Sequence, residues 1–247
     1  NINLVTGAHY VPQIIRALTL ARNEGLTLPV VYNSSGYECI ETLHLLDGQI
    51  DIYLPDYKYY SSYYAGLYSH APDYRDFAVP AIDEMVRQTG APQFDENGML
   101  TRGTVIRHLM LPGLGGDTSQ ILRDIAVRWG NRVLVSLMRQ YTPFDMDEYP
   151  ELDRTITAEE YETACGEFRE LGLGGFFQQD ESISESLIPV FDGSGLEGTE
   201  QRKMYTALQV PTRRAVRAFR PTSRPSRHTG YTAWRLFLLS SHRTPFM

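Results

Sequence analysis

Five short apolar runs separated by helical patterns constrain this chain more than any other feature. Ile2–Thr6, Pro29–Asn33, Ile50–Leu54, Thr104–Leu111 and Arg132–Met138 are rich in Val, Ile and Leu and read as strands. Between them, apolar residues recur at helical spacing over 11–23, 37–46, about 74–89 and 118–129. In the first helix Val11, Ile14, Ile15, Leu18 and Ala21 form the stripe, Pro12 suits the opening turn and Gly25 closes it. Regular strand–helix alternation implies parallel strands joined by right-handed crossovers. Polar residues gather at the C-terminal ends of these strands. That is the pattern of a β/α barrel or an open α/β sheet, whose sites lie along that edge.

Local signals refine the outline. Asp117-Thr118-Ser119 offers an N-cap ahead of Ile121, Leu122, Ile125 and Ala126, and Thr157 with Glu160 forms a capping box ahead of Tyr161. Pro80 stands where it would break or kink the third helix. The Tyr-rich stretch from Tyr57 to Tyr68 reads as an amphipathic cover, and Gly174–Gln178 adds a last short extended piece. The chain opens on Asn1, without an initiating Met and already inside a strand, so a preceding part is expected to be missing.

Composition narrows the class. With 247 residues, 42% of them hydrophobic and 21% charged, the chain can bury a substantial core. No apolar run approaches the ~20 residues that span a bilayer, and no membrane partner is expected. The net charge of −7 is unevenly placed: residues 199–247 hold ten Lys or Arg against the single acid Glu200, a local +9, which leaves −16 elsewhere. An acidic body argues against nucleic acid as the main partner. Residues 211–230 mix Arg, Pro, Ser and Thr without periodicity, which reads as disorder. A basic nucleic-acid arm and a non-native or frame-shifted end are both open for this tail. The expected division is a unit over 1–195 and a basic, disordered or non-native tail over 196–247. Cys39 and Cys165 stand in no CxxC or similar metal spacing. Cys39 falls in a helix pattern, and Cys165 shares a stripe with Tyr161, Ala164, Phe168 and Leu171 as a buried thiol. A reducing, cytoplasmic location fits this usage best.

The candidate site residues sit where strands end. They are Thr6, Gly7 and His9 after the first strand, Asn33 and Ser35 after the second, Asp56 and Lys58 after the third, and Arg107 on the fourth. Strand parity puts Asp56 and Lys58 with Ile52 and Leu54, and Asn33 and Ser35 with Val31. Arg107 and His108 cannot both point inward, and His108 is read as a helix-facing structural residue. Together these groups could hold a zwitterionic, ribose-containing ligand, with Lys or Arg on a carboxylate and acids and amides on an ammonium and a diol. A local surface ion pair is the competing reading of Asp56 and Lys58. His9 could equally cap the following helix. A metal hydrolase using His9, His44, His70, His108, Asp51 and Asp56 is a further alternative, although His44 on a helix and His70 in a loop suit it poorly.

Taken together, the segments 1–9, 29–38, 45–59, 106–113 (Ile-Arg-His-Leu-Met-Leu-Pro-Gly) and 138–141 (Met-Arg-Gln-Tyr) resemble radical S-adenosylmethionine proteins of the pyruvate formate-lyase activating enzyme-like group. The likeness continues through 184–192 and so covers about residues 1–195. It implies a partial (β/α)6 barrel. It also implies an oxidoreductase that uses a 4Fe–4S iron–sulfur cluster to cleave S-adenosylmethionine to a 5′-deoxyadenosyl radical, which takes a hydrogen from a glycine of a partner glycyl-radical enzyme. Flavodoxin or ferredoxin is the implied reductant. Thr6, Gly7 and His9 occupy the place of the methionine-amino-group loop, without its usual Gly-Gly-Glu. Asn33 and Ser35 match the ribose and methionine edge, Asp56 and Lys58 match an Asp–x–Lys motif with Lys58 on the carboxylate, and Arg107 matches a catalytic, substrate-facing arginine. The CxxxCxxC motif that binds the cluster is absent. The expectation is therefore a cluster-less fragment, inactive alone, of an enzyme whose full-length parent held the cluster. A nucleoside-binding barrel without turnover is the alternative.

Overall fold

The computed structural model describes residues 1–144 and 146–177. In chain order its strands are β1 (Ile2–Val5), β2 (Val30–Ser34), β3 (Ile52–Pro55), β4 (Gln93–Phe94), β5 (Leu100–Leu109), β6 (Leu134–Met138) and β7 (Gly175–Phe177). The helices are α1 (Val11–Asn23), α2 (Ile40–Leu45), α3 (Ser62–Ser69), α4 (Tyr74–Thr89), α5 (Gly115–Arg128) and α6 (Ala158–Glu170). The sheet runs β1-β2-β3-β5-β6-β7, with every neighbouring pair parallel. Only β4 departs, pairing antiparallel with the start of β5 as a hairpin that the sequence pattern did not reveal. The architecture is the partial (β/α)6 barrel that the resemblance implied. The expectations for residues 184–192 and for the basic tail fall outside the described residues.

Strand parity divides the core. Val30, Tyr32 and Tyr53 pack with Leu43, Ala81 and Met85 under the helices, and Ile106, Val135 and Leu137 do so against α5 and α6. On the other, concave face Val31, Ile52, Leu54 and Val105 form a small apolar plug. Branched side chains fill the base of such barrels because β-branched rotamers stack well across parallel strands. Above the plug the same parity continues into Asn33, Asp56 and Arg107. The change from apolar to charged along one face positions the site.

Two helix expectations need correction, and the cover over the Tyr-rich stretch proves to include a further helix. Asp117 does not cap α5, whose N-cap is Leu114. Its carboxylate reaches back to accept from Tyr60 N at 2.9 Å and Ser61 N at 2.8 Å. Burial raises its pKa against the pull of those two donors. The Tyr-rich stretch contains a helix, α3, capped by the Ser61 hydroxyl at Tyr63 N and closed by His70 at φ 52°. Pro80 lies inside α4, which continues to Thr89. Burial of Ala78, Ala81, Ile82 and Met85 against the sheet outweighs the one backbone bond that proline removes. Cys39 is the exposed N-cap residue of α2, its thiol 2.9 Å from Glu41 Oε2, and Cys165 is buried in α6 as its stripe implied. The Thr157–Glu160 capping box is present.

Candidate functional site

The mouth of the barrel is built from the ends of β2, β3 and β5. Arg107 Nη2 lies 2.7 Å from Asn33 Oδ1 and 2.6 Å from Asp56 Oδ1. Lys58 Nζ donates to the other oxygen of Asp56 at 2.7 Å. Asn33, Asp56 and Arg107 are each no more than 4% exposed, and the Lys58 side chain is 10% exposed. The competing reading of Asp56 and Lys58 as a surface pair is therefore corrected: parity turns Asp56 onto the concave face, where the sheet screens it from water. Among these four residues two cations face one carboxylate. Burial pushes the Lys58 pKa down, and the Asp56 charge pulls it partly back.

One hydroxyl ties the strand ends together. Tyr74, in the first turn of α4, accepts from Lys58 N at 3.1 Å and lies 2.9 Å from Ser35 O and 2.7 Å from Asp56 O. Its single proton is shared between the two carbonyls, so one ring clamps the loops after β2 and β3 to each other. Gly36 makes this approach possible. It holds φ +79°, and a Cβ there would stand 2.2 Å from Asp56 O. The Ser34 hydroxyl accepts from Gly36 N at 3.0 Å and donates to Glu38 Oε1 at 2.8 Å, folding the loop back on β2. Glu38 is buried, and desolvation raises its pKa although the Ser34 and Tyr32 hydroxyls favour its ionised form.

The structure thus brings together Asn33, Asp56, Lys58 and Arg107, with Ser35 joined through its backbone. Thr6, Gly7 and His9 lie one strand away, at the end of β1. Thr6 takes φ 55° and donates its N–H to Asn33 O at 3.1 Å. Gly7 is buried against Ile14 and Tyr32, and His9 sits within electrostatic range of Glu38. Tyr74, Gly36, Ser34 and Glu38 were not singled out from the sequence. The Ser-Ser-Gly-Tyr run signalled a turn, but nothing in it named a hydroxyl 16 residues beyond Lys58 as the clamp.

His108 faces the helices, as parity required. Its Nδ1 lies 2.8 Å from Tyr57 O and its Nε2 3.0 Å from the Thr118 hydroxyl of α5. A carbonyl can only accept, so Nδ1 carries the proton, and in the neutral ring Nε2 accepts from the Thr118 hydroxyl. Burial lowers its pKa from 6.5 to about 4. The unfolded chain therefore takes up this proton first as the pH falls, and stability contributed by neutral His108 is lost between pH 6.5 and about 4. Replacing His108 by Gln is expected to flatten that acid limb, read from urea midpoints at pH 7 and pH 5; an unchanged slope would contradict a neutral His108.

The residues of the metal-hydrolase alternative lie apart. His44 is on the exposed side of α2 near Glu84, His70 caps α3 and His108 is sealed under α5. Among the described residues no group of three or more His, Cys, Asp or Glu side chains is placed to hold a metal ion. The chain's two cysteines sit on separate helices, one exposed and one buried. A 4Fe–4S cluster needs several thiolates close together, and the residues present do not fit it.

No protein-family model matches the chain. An uncharacterized protein of Methanocaldococcus jannaschii is 31% identical over 166 residues, covering 66% of this chain and 44% of that protein. The chain thus spans less than half the length of the curated relative it matches. Among solved structures, a domain of pyruvate-formate lyase-activating enzyme from Bacteroides vulgatus matches with a TM-score of 0.52 at 12% identity, over 72% of this chain and 98% of that one. A radical SAM methyltransferase from Sphaerobacter thermophilus gives a TM-score of 0.42 at 14% identity, over 68% of this chain and 56% of that one. The class of fold is that of the activating-enzyme domain. No helix among the described residues is long and apolar enough to cross a membrane.

Proposed function

We propose that this chain is the barrel of a radical S-adenosylmethionine protein of the pyruvate formate-lyase activating type, and that its mouth binds S-adenosylmethionine. The buried Asn33–Arg107–Asp56–Lys58 array carries the reading. Arginine and lysine converging on one carboxylate at the C-terminal mouth of a parallel barrel offer charged hydrogen bonds in a low-dielectric setting, where they discriminate strongly among ligands. Lys58 would meet the ligand carboxylate, Asp56 its ammonium, and Asn33 and Ser35 its ribose. Arg107 would face the substrate, and Thr6, Gly7 and His9 would border the methionine end. Chemistry of the parent type would need a bound 4Fe–4S cluster with flavodoxin or ferredoxin as its reductant, and a glycyl-radical enzyme as the hydrogen donor. The two cysteines of this chain do not support that cluster, so its own residues are assigned binding and orientation only. The same observation favours a second reading, a nucleoside-binding barrel without turnover.

Isothermal titration with S-adenosylhomocysteine tests the shared core of both readings. Lys58→Ala removes one charge-assisted hydrogen bond and is expected to weaken binding by about tenfold or more. Equal affinities for wild type and variant would rule out the assigned site.

A further inference from the structure

Among the described residues three buried side-chain polar atoms have no hydrogen-bond partner: Oδ1 of Asp56, whose charge the Arg107 guanidinium meets at 2.6 Å, Nε of Arg107 and Oε1 of Gln140. Gln140 directly follows β6. Its neighbour Arg139 lies over the Tyr161 ring of α6, 5.1 Å from the centroid, and its other neighbour Tyr141 donates its hydroxyl to Leu152 O at 3.1 Å. Both neighbours face the helix layer, and Tyr141 belongs to its core. Alternation then turns Gln140 to the concave side, in line with Ser136 and Met138. Arg107 is on that same side in the adjacent strand, where its Cα partner is Ser136. Buried donors and acceptors are rarely left bare, because each loses its water without replacement.

The geometry points to a second ligand contact on the β5–β6 side of the mouth, in which Gln140 accepts one hydrogen bond and Arg107 Nε donates another. A group that satisfies both carries an N–H or O–H beside a carbonyl-type oxygen, and a neutral secondary amide does so. The Arg107 charge is already met by Asp56 at 2.6 Å, so an uncharged oxygen suits its remaining N–H better than a second carboxylate. Gln140 is thereby a specificity-determining residue for whatever amide-bearing molecule enters beside the nucleoside. The inference rests on the reading of this mouth as a ligand site, and it assigns a role to a strand end that the nucleoside contacts on β2 and β3 leave unused.

The test is a titration of the 15N-labelled full chain with N-methylacetamide, following the Arg107 Nε–H and Gln140 side-chain NH2 resonances. Both are expected to move together and saturate in the millimolar range or above, as suits so small a ligand. N,N-dimethylacetamide lacks the N–H and is expected to move them far less, a comparison that needs no variant. In Gln140→Leu the Arg107 response to N-methylacetamide is expected to weaken by about fivefold or more. Equal responses to the two amides, an unchanged response in Gln140→Leu, or no response at all would overturn the inference. S-adenosylhomocysteine added to a separate sample separates the two readings. Shifts at the Asp56 and Lys58 amides with no amide response leave the nucleoside site standing and remove this one, whereas the reverse pattern does the opposite.

Discussion

Asp56→Ala is expected to cost about 3–5 kcal/mol of folding free energy at pH 7, the range for breaking a buried ion pair by deleting one partner. Asp56 is 2% exposed, and its two oxygens separately meet Arg107 at 2.6 Å and Lys58 at 2.7 Å. Deleting the carboxylate leaves two cations facing each other in the mouth. The guanidinium stays charged at any workable pH, so relief must come from Lys58, whose pKa burial already lowers. The sign of the pH dependence follows. A lysine that gives up its proton more readily when folded than when unfolded makes the folded state bind fewer protons, so stability rises with pH. The variant should therefore recover part of its loss as the pH approaches 10. Urea denaturation across that range measures both effects. A loss under about 1 kcal/mol, typical of an exposed pair, would mean that the carboxylate is hydrated rather than buried.

Gly36→Ala is expected to be nearly as severe, at about 3 kcal/mol or more, because two costs combine at one atom. The first is backbone strain at φ +79°, and the second is a Cβ placed 2.2 Å from Asp56 O and 3.0 Å from the Tyr74 hydroxyl. The obstacle is main chain and cannot swing aside, so the loops after β2 and β3 must part and the Tyr74 clamp must open. Gly48 supplies the control: it holds φ +75° with nothing within 4 Å of its Cβ position. Gly48→Ala pays only the left-handed strain, about 1 kcal/mol. Thermal unfolding of the two variants side by side reads the difference. Equal losses would show that the close approach at Asp56 contributes nothing.

What could be read from the sequence depended on the range of the interaction. The parallel strands were legible because burial on both faces leaves apolar runs such as Pro29–Asn33 and Thr104–Leu111. Strand parity then sorted Arg107 from His108 and aligned Asn33 with Val31, since a period of two is fixed by backbone geometry. The true strand ends were less legible, because they depend on pairing: β5 reaches back to Leu100 through its hairpin with β4. The helix α3 stayed hidden because its tyrosines carry no clear apolar stripe, and its cap is completed by Asp117 from 56 residues away. That same carboxylate imitated a local N-cap, and only the fold shows that it serves another element. Asp56 and Lys58 were visible as a pair, but their burial was not. It comes from Arg107 and Asn33, which are 74 residues apart in sequence.

The most direct test of the assigned mouth is a crystal structure of the chain bound to S-adenosylhomocysteine. The amino-acid carboxylate is expected within hydrogen-bond reach of Lys58 Nζ and the ribose against Asn33 and Ser35, on the concave side of the sheet. A ligand seated on the helix-covered side, or one that touches none of these residues, would contradict that assignment.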